Sequence, residues 1–260
     1  MAGETQAWPV SNRLIFPPVT VSGITSRNDL PPGRVPGGMT TVGLIGSGQI
    51  GGTVAQLSVA AGHQVVLSNS RGPETLADLV ADLGPLARAA TPAEAATAGD
   101  LVVISVPVLA FGKMPAAALA GRVTMDTCNY YPPRDGQIAE LDSGSLTSSA
   151  LLQRDLPGAA VVKVFNNIYY RHLLSLARPA GDPSRSFLPI AGDDPAAKSA
   201  VTAFLDSIGY GAVDAGTLAE SWRQEPGTPV YGPPYGPFDN PAGTPAGAGK
   251  IRAALAEATR

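Results

Sequence analysis

The sequence is poor in the side chains from which most catalytic and metal sites are built. Its 260 residues include one cysteine, Cys128, and two histidines, His63 and His172. A single thiol makes neither an internal disulfide nor a Cys-rich metal site, so a reducing, cytoplasmic setting and no bound metal are expected. Charge of one sign is also lacking: 18 Lys and Arg stand against 21 Asp and Glu, a formal net charge of −3. With no surplus of cations to neutralise phosphates, neither nucleic acid nor a membrane surface is an expected partner. Long apolar runs are missing. The longest, Leu101 to Phe111, contains Ser105 and Pro107 and falls far short of the ~20 residues that span a bilayer. The first residues show no signal-peptide pattern, so secretion is not expected. Apolar residues nevertheless make up 44% of the chain, enough to pack one large domain or two small ones.

Glycine and proline are plentiful, at 30 and 25 residues, and unevenly spread. Residues 1–38 mix six prolines with polar residues and hold neither a strand nor a helix period. They are expected to be a disordered or loosely ordered tail, and both a native tail and a start at Met39 fit this blandness. From Thr40 onward apolar runs alternate with helical stretches. Thr41 to Ile45 reads as a strand buried on both faces, Ile50 to Ala61 as a helix closed by Gly62, and His63 to Leu67 as a second strand. Pro73 to Leu83 reads as a helix stopped by Gly84, and Thr91-Pro92-Ala93-Glu94 as a capping box. Further strands are expected at Asp100–Val106, Val123–Cys128, Ala160–Phe165, Phe187–Ala191 and Ala212–Asp214. Helices are expected at Leu151–Leu156, at Ala196–Ile208 behind Asp194-Pro195, and at Ile251–Thr259. This alternation predicts an α/β protein, a Rossmann-type doubly wound, mostly parallel sheet with a small C-terminal α/β portion. The expected division is a dinucleotide-binding domain at 39–145, the small α/β portion at 146–223 closing the active site, and a Pro/Gly-rich loop with a terminal helix at 224–260. Residues 226–249 hold seven prolines and six glycines, which leaves either a long ordered loop or a loose flap.

Gly46-Ser47-Gly48-Gln49-Ile50-Gly51 fits G-x-G-x-x-G directly between a strand and a helix. That setting assigns Gly46 to the tight turn, Gly48 to a backbone that approaches a pyrophosphate, and Gly51 to close packing of helix on strand. The end of the second strand, where an acid would bind the ribose hydroxyls of NAD, reads Ser68-Asn69-Ser70-Arg71 instead. Hydroxyls, an amide and a guanidinium suit a 2′-phosphate, so NADP(H) is the expected cofactor, against the alternative of a solvated polar turn. Val106-Pro107 stands at the carboxyl edge of the next strand, either flanking the nicotinamide or forming an ordinary proline turn. Asn129-Tyr130-Tyr131 follows a strand and offers an amide and two aromatic faces, to stack a planar ring or to pack in the core. Asn166 and Asn167 end a further strand and are expected, with Asn129, Tyr130 and Tyr131, to contact the acceptor. Lys163 lies in an apolar strand and meets either a phosphate or acidic partner, or solvent. Cys128 reads as a small core residue rather than a nucleophile, His63 as a surface residue, and His172 as a candidate for the pocket wall. No catalytic residue is assigned.

From Thr41 to about Leu218 the chain resembles the NADP-dependent oxidoreductases related to NADPH:coenzyme F420 oxidoreductase, the superfamily that also supplies the NADPH-binding domain of the STEAP metalloreductases. The resemblance is carried by Gly46 to Gly51, Ser68 to Arg71, Val106-Pro107, Asp126-Thr127-Cys128-Asn129-Tyr130-Tyr131-Pro132 and Val162-Lys163-Val164-Phe165-Asn166-Asn167. It implies a nicotinamide facing a pocket closed by the C-terminal portion, where an acceptor such as the deazaflavin coenzyme F420 stacks. The proline-rich stretch from Pro226 to Pro245 departs from that pattern. The expected function is hydride transfer between NADP(H) and a planar small-molecule acceptor, most specifically F420. The alternatives are reduction of a small carbonyl or imine, and a non-catalytic NADP sensor. A homodimer is compatible with this reading.

Overall fold

The computed structural model describes residues 39–260, which form one unit. The tail expected at 1–38 lies outside the described residues. Eight strands make a single sheet in the order β3-β2-β1-β4-β5-β6-β7-β8. They are β1 (Thr41–Ile45), β2 (Gln64–Ser68), β3 (Ala87–Ala89), β4 (Leu101–Ile104), β5 (Val123–Asp126), β6 (Ala160–Lys163), β7 (Phe187–Gly192) and β8 (Gly211–Asp214). The helices are α1 (Gln49–Ala60), α2 (Ala77–Leu83), α3 (Pro92–Ala98), α4 (Ala116–Leu119), α5 (Pro132–Asp135), α6 (Ala139–Asp142), α7 (Ser148–Asp155), α8 (Tyr170–Ser175), α9 (Pro195–Ser207) and α10 (Ala248–Ala256). Every pairing is parallel except β6 with β7. The doubly wound, mostly parallel sheet read from the alternation is therefore the observed fold.

Local chemistry accounts for the element ends. Thr91 and Glu94 form a reciprocal capping box on α3, and Asp194 accepts hydrogen bonds from the Ala196 and Ala197 amides at the start of α9. Differences from expectation fall where the pattern is short. Pro73–Leu76 is a 3-10 turn ahead of α2 rather than its first turn. Strand β3 has no signal in the sequence pattern, because Ala-Arg-Ala has no strand character of its own and forms by pairing with β2, Val65 to Ala87 and Leu67 to Ala89. Helices α4, α5, α6 and α8 have four to six residues, too few for an apolar period to show.

Strands β6 to β8, from the portion expected at 146–223, extend the sheet of the first half. One core runs through both, from Leu44 and Val54 to Leu188, Val201 and Ile251, and it takes in Val230, Tyr235 and Ala246 of the proline-rich stretch. Of the two readings of residues 226–249, the ordered loop is the observed one. The stretch is tied down at Ala246, whose carbonyl accepts from the Phe187 amide at 2.8 Å, and at Pro234, whose carbonyl accepts from Lys250 Nζ at 2.7 Å. His63 corrects an expectation. It is buried, its Nδ1 facing the Thr40 amide at 3.4 Å and its Nε2 bonding Ser207 Oγ at 2.8 Å, because the end of α9 covers the turn before β2.

Candidate functional site

The register sets the ends of β1, β4, β5 and β6 on one line: Ile45 lies beside Ile104, Ile104 beside Asp126, and Asp126 beside Lys163. The chain reverses direction across the sheet between β1 and β4, the crevice where such folds bind ligands. Gly46 turns there with φ of 102°, and a Cβ on it would lie 2.1 Å from the Ser105 carbonyl oxygen. A Cβ on Gly51 would lie 2.1 Å from the Gly46 oxygen. At Gly48, in contrast, a Cβ meets no atom within 4 Å, so the space in front of that backbone is open. Gly48 caps α1 without any side-chain bond, and the first turn of the helix carries no acid. The leading amides of Gln49, Ile50 and Gly51 and the positive end of the helix dipole are thus directed at the open face, which fits the pyrophosphate of a dinucleotide. Ser47 is half-buried in the turn, and the Ile50 side chain packs against the main core.

Past β2 the four residues divide. Ser68 is a correction: it is fully buried and its hydroxyl donates to the Leu44 carbonyl at 2.8 Å, so it holds β2 to β1 and does not face a phosphate. Asn69 braces the turn, accepting from the Arg71 amide at 2.9 Å and donating to Thr75 Oγ1 at 2.8 Å. Ser70 and Arg71 are exposed, and the Arg71 guanidinium has no ion pair among the described residues. A guanidinium braced at the backbone and open at its head suits a 2′-phosphate. Val106 lies against the glycine turn, its Cγ1 3.1 Å from the Cβ position of Gly46, and exposed Pro107 opens a 3-10 turn over Val108–Lys113.

The residues expected at the acceptor meet a strap from their own chain, residues 224–247, which leads into α10. Asn129 Nδ2 donates to the Asn166 carbonyl at 2.8 Å and to Tyr231 Oη at 3.3 Å, while its Oδ1 accepts from Asn166 Nδ2 at 3.0 Å. Asn166 Nδ2 also reaches the Gln224 carbonyl at 2.6 Å. Asn167 is fully buried and donates to the Val230 carbonyl at 3.0 Å, so its amide holds the strap. Tyr131 and Tyr231 are hydrogen-bonded through their hydroxyls. Tyr130 Oη bonds Asp142 Oδ1 at 2.7 Å and the Gly136 carbonyl at 2.9 Å, and accepts from the Ile138 amide at 2.9 Å. Sequence reading missed Tyr231 and Gln224; the available signal was an aromatic within a Pro/Gly run, a side chain that needs a surface to pack on.

Beneath this layer lies a charged network. Lys163 is fully buried, and its Nζ donates to the Cys128 carbonyl, Ser148 Oγ and Ser149 Oγ, each at 3.0 Å, with Asp126 Oδ2 at 3.5 Å. Of its two expected partners, the acid is the one observed, and the solvent alternative is excluded. Ser148 passes the link to Glu225 Oε1 at 2.9 Å, at the root of the strap. Cys128 is buried, and burial followed by the Asp126 charge pushes its thiol well up, consistent with a core role. His172 is fully buried with Nε2 on the Asn240 carbonyl at 2.8 Å, so it anchors the strap and does not line a pocket. Among the described residues no group of His, Cys, Asp and Glu is placed to hold a metal, and no helix is long and apolar enough to cross a membrane.

Residues 41–130, the span of the glycine turn, the β2 end and the Asn129 block, match the family NADP oxidoreductase, coenzyme F420-dependent. The match covers 90 of the 260 residues. Rat metalloreductase STEAP3 is 28% identical over 190 residues, 72% of this chain and 36% of that protein. The chain spans little more than a third of the length of the curated relatives it matches. Among solved structures, the hypothetical protein SMa0349 from Sinorhizobium meliloti is 28% identical with a TM-score of 0.64, over 74% of this chain and 92% of that one. A protein from Arthrobacter sp. FB24, provisionally named an F420-dependent NADP-reductase, has the same fold at 24% identity, with a TM-score of 0.59 over 72% of this chain and 88% of that one. The fold is the one these two solved structures share.

Proposed function

We propose that the chain is an NADP(H)-dependent oxidoreductase moving a hydride between nicotinamide C4 and a planar organic acceptor, most specifically a deazaflavin of the F420 type. The observation that carries this is the open backbone at Gly48 in front of an uncapped helix, with the unpaired Arg71 guanidinium one strand away. In this reading Gly46 to Gly51 cradle the pyrophosphate, Ser70 and Arg71 recognise the 2′-phosphate, and Val106-Pro107 flank the nicotinamide. NADPH, when bound, supplies the hydride, and the protein supplies alignment and exclusion of water. Asn129, Tyr131 and Asn166 form the acceptor side, with Tyr130 and Asn167 holding its two flanking loops. The natural setting for this chemistry is the cytoplasm.

One observation favours a second reading, reduction of a small carbonyl or imine. The Asn129, Asn166 and Asn167 amides are already bonded within the chain, which leaves fewer polar anchors for a large acceptor. NADPH oxidation by the purified protein, followed by nicotinamide absorbance with F420, FMN and a panel of carbonyls and imines, separates the readings. Turnover with the deazaflavin alone supports the first, and turnover only with carbonyls or imines the second. Tight NADPH binding with no turnover on any acceptor would point to a sensor.

A further inference from the structure

Reducing a carbonyl, an imine or a conjugated ring adds a hydride at one atom and leaves an electron pair on another, which then needs a proton. Few groups at this sheet edge can give one. Cys128 is buried and its thiol is pushed well up. Lys163 and Asp126 are fully buried and bonded to each other's surroundings, and His172 is fully buried against Asn240. The Tyr130 hydroxyl is held by Asp142, Gly136 and Ile138. The Tyr131–Tyr231 pair stands at the same edge, and both members are half-buried.

The surroundings of the pair are fixed with care. Asn129 Nδ2 points at Tyr231 Oη, and Asn166 Nδ2, returning to Asn129 Oδ1, sets which way that amide faces. Asn166 follows Phe165, a fully buried aromatic held at φ of 63°, a left-handed conformation that bulky residues avoid. Such strain persists only where its surroundings enforce it, and here it aims Asn166. Asn129 stands just past β5, two strands from the glycine turn, which at about 4.8 Å per strand is roughly 10 Å along the edge.

We propose that Tyr231, on the strap, is the catalytic proton donor, with Tyr131 and Asn129 as positioning residues; this rests on the oxidoreductase reading above. The acceptor carbon gains a C–H bond using the hydride of the reduced nicotinamide, and the acceptor π pair moves to its oxygen or nitrogen. That atom takes the proton as the Tyr231 O–H bond breaks. The phenolate accepts hydrogen bonds from Asn129 and Tyr131 until water returns a proton, so reduced nicotinamide, acceptor and one proton are consumed. The deciding experiment compares wild type, Y231F and Y131F for NADPH affinity by nicotinamide fluorescence, for kcat and KM on the acceptor that turns over, and for the solvent deuterium effect on kcat. Y231F is expected to bind NADPH within twofold of wild type, to leave KM nearly unchanged, to lose about 100-fold in kcat and to lose the solvent effect. Y131F, which keeps the donor, is expected to lose about 10-fold in kcat; should Y231F fail to fold, an unchanged kcat in Y131F overturns the pairing on its own. Y231F within threefold of wild-type kcat overturns the proposal and leaves the oxidoreductase reading standing. A wild type inactive on every acceptor removes that reading, and the proposal with it.

Discussion

At the scale of single residues the glycines separate folding from binding. A methyl group on Gly51 strikes a backbone oxygen that cannot move, so G51A is expected to lower stability by about 1–3 kcal/mol, read by chemical denaturation. On Gly48 the same methyl meets nothing in the chain. G48A should unfold like wild type yet bind NADPH at least tenfold more weakly; equal affinity would mean that no phosphate approaches this backbone. For Arg71, loss of one charge-assisted contact in R71A is expected to weaken NADPH by about tenfold while leaving NADH unchanged, a difference visible in parallel titrations. His63 adds a pH effect. Burial lowers its affinity for protons below the ordinary 6.5, so the unfolded chain binds the proton more readily. The stability this gives is complete above pH 6.5 and is lost as pH falls through the lowered value. An H63Q variant should therefore show a flatter melting temperature below pH 6.5 than wild type. The glycine turn was legible because its steric demands are local. The burial of His63 and Ser68 was not, since it depends on α9 and on which face β2 presents.

At the scale of elements, β6 and the strap explain each other. Lys163 sits in a strand whose other side chains are apolar, and from sequence it was a lysine with an unknown partner. The fold supplies Asp126 from the neighbouring strand, Ser148 and Ser149 from α7, and the Cys128 carbonyl, and through Ser148 it reaches Glu225. Removing the cation leaves the Asp126 charge buried, so K163M is expected to cost about 3–5 kcal/mol. Pairing it with D126N should recover part of that loss, whereas a double variant no better than K163M would show that the ion pair contributes little by itself. The strap was legible only as irregular chain. Hydrogen bonds reach it from residues 58 to 102 positions earlier, Asn166 to Gln224, Asn167 to Val230 and Asn129 to Tyr231, and no local pattern encodes contacts of that range.

At the scale of the whole molecule, the parallel alternation was readable because each strand and helix carries its own period, but the joining of the parts was not. The sequence suggests a Rossmann domain, a small second portion and a trailing loop with a helix. The described residues share one sheet, and in its largest core Ile251 of α10 and Val230 and Tyr235 of the strap lie with Leu44 of β1 and Val54 of α1. A core shared in this way couples the first and last described elements: one cannot leave without exposing apolar surface on the others. Ile251 is fully buried, and I251A is expected to cost about 2–5 kcal/mol by leaving a cavity. The consequence of a shared core is that this loss falls on the entire unit, the glycine turn included. Calorimetry of I251A should therefore show one transition at lower temperature, and bound NADPH, which contacts only the first half in the proposed site, should raise that transition as it raises that of wild type. Two separated transitions, with only the later one moved by NADPH, would mean that the C-terminal elements unfold on their own and that the core is divided where the sequence first suggested.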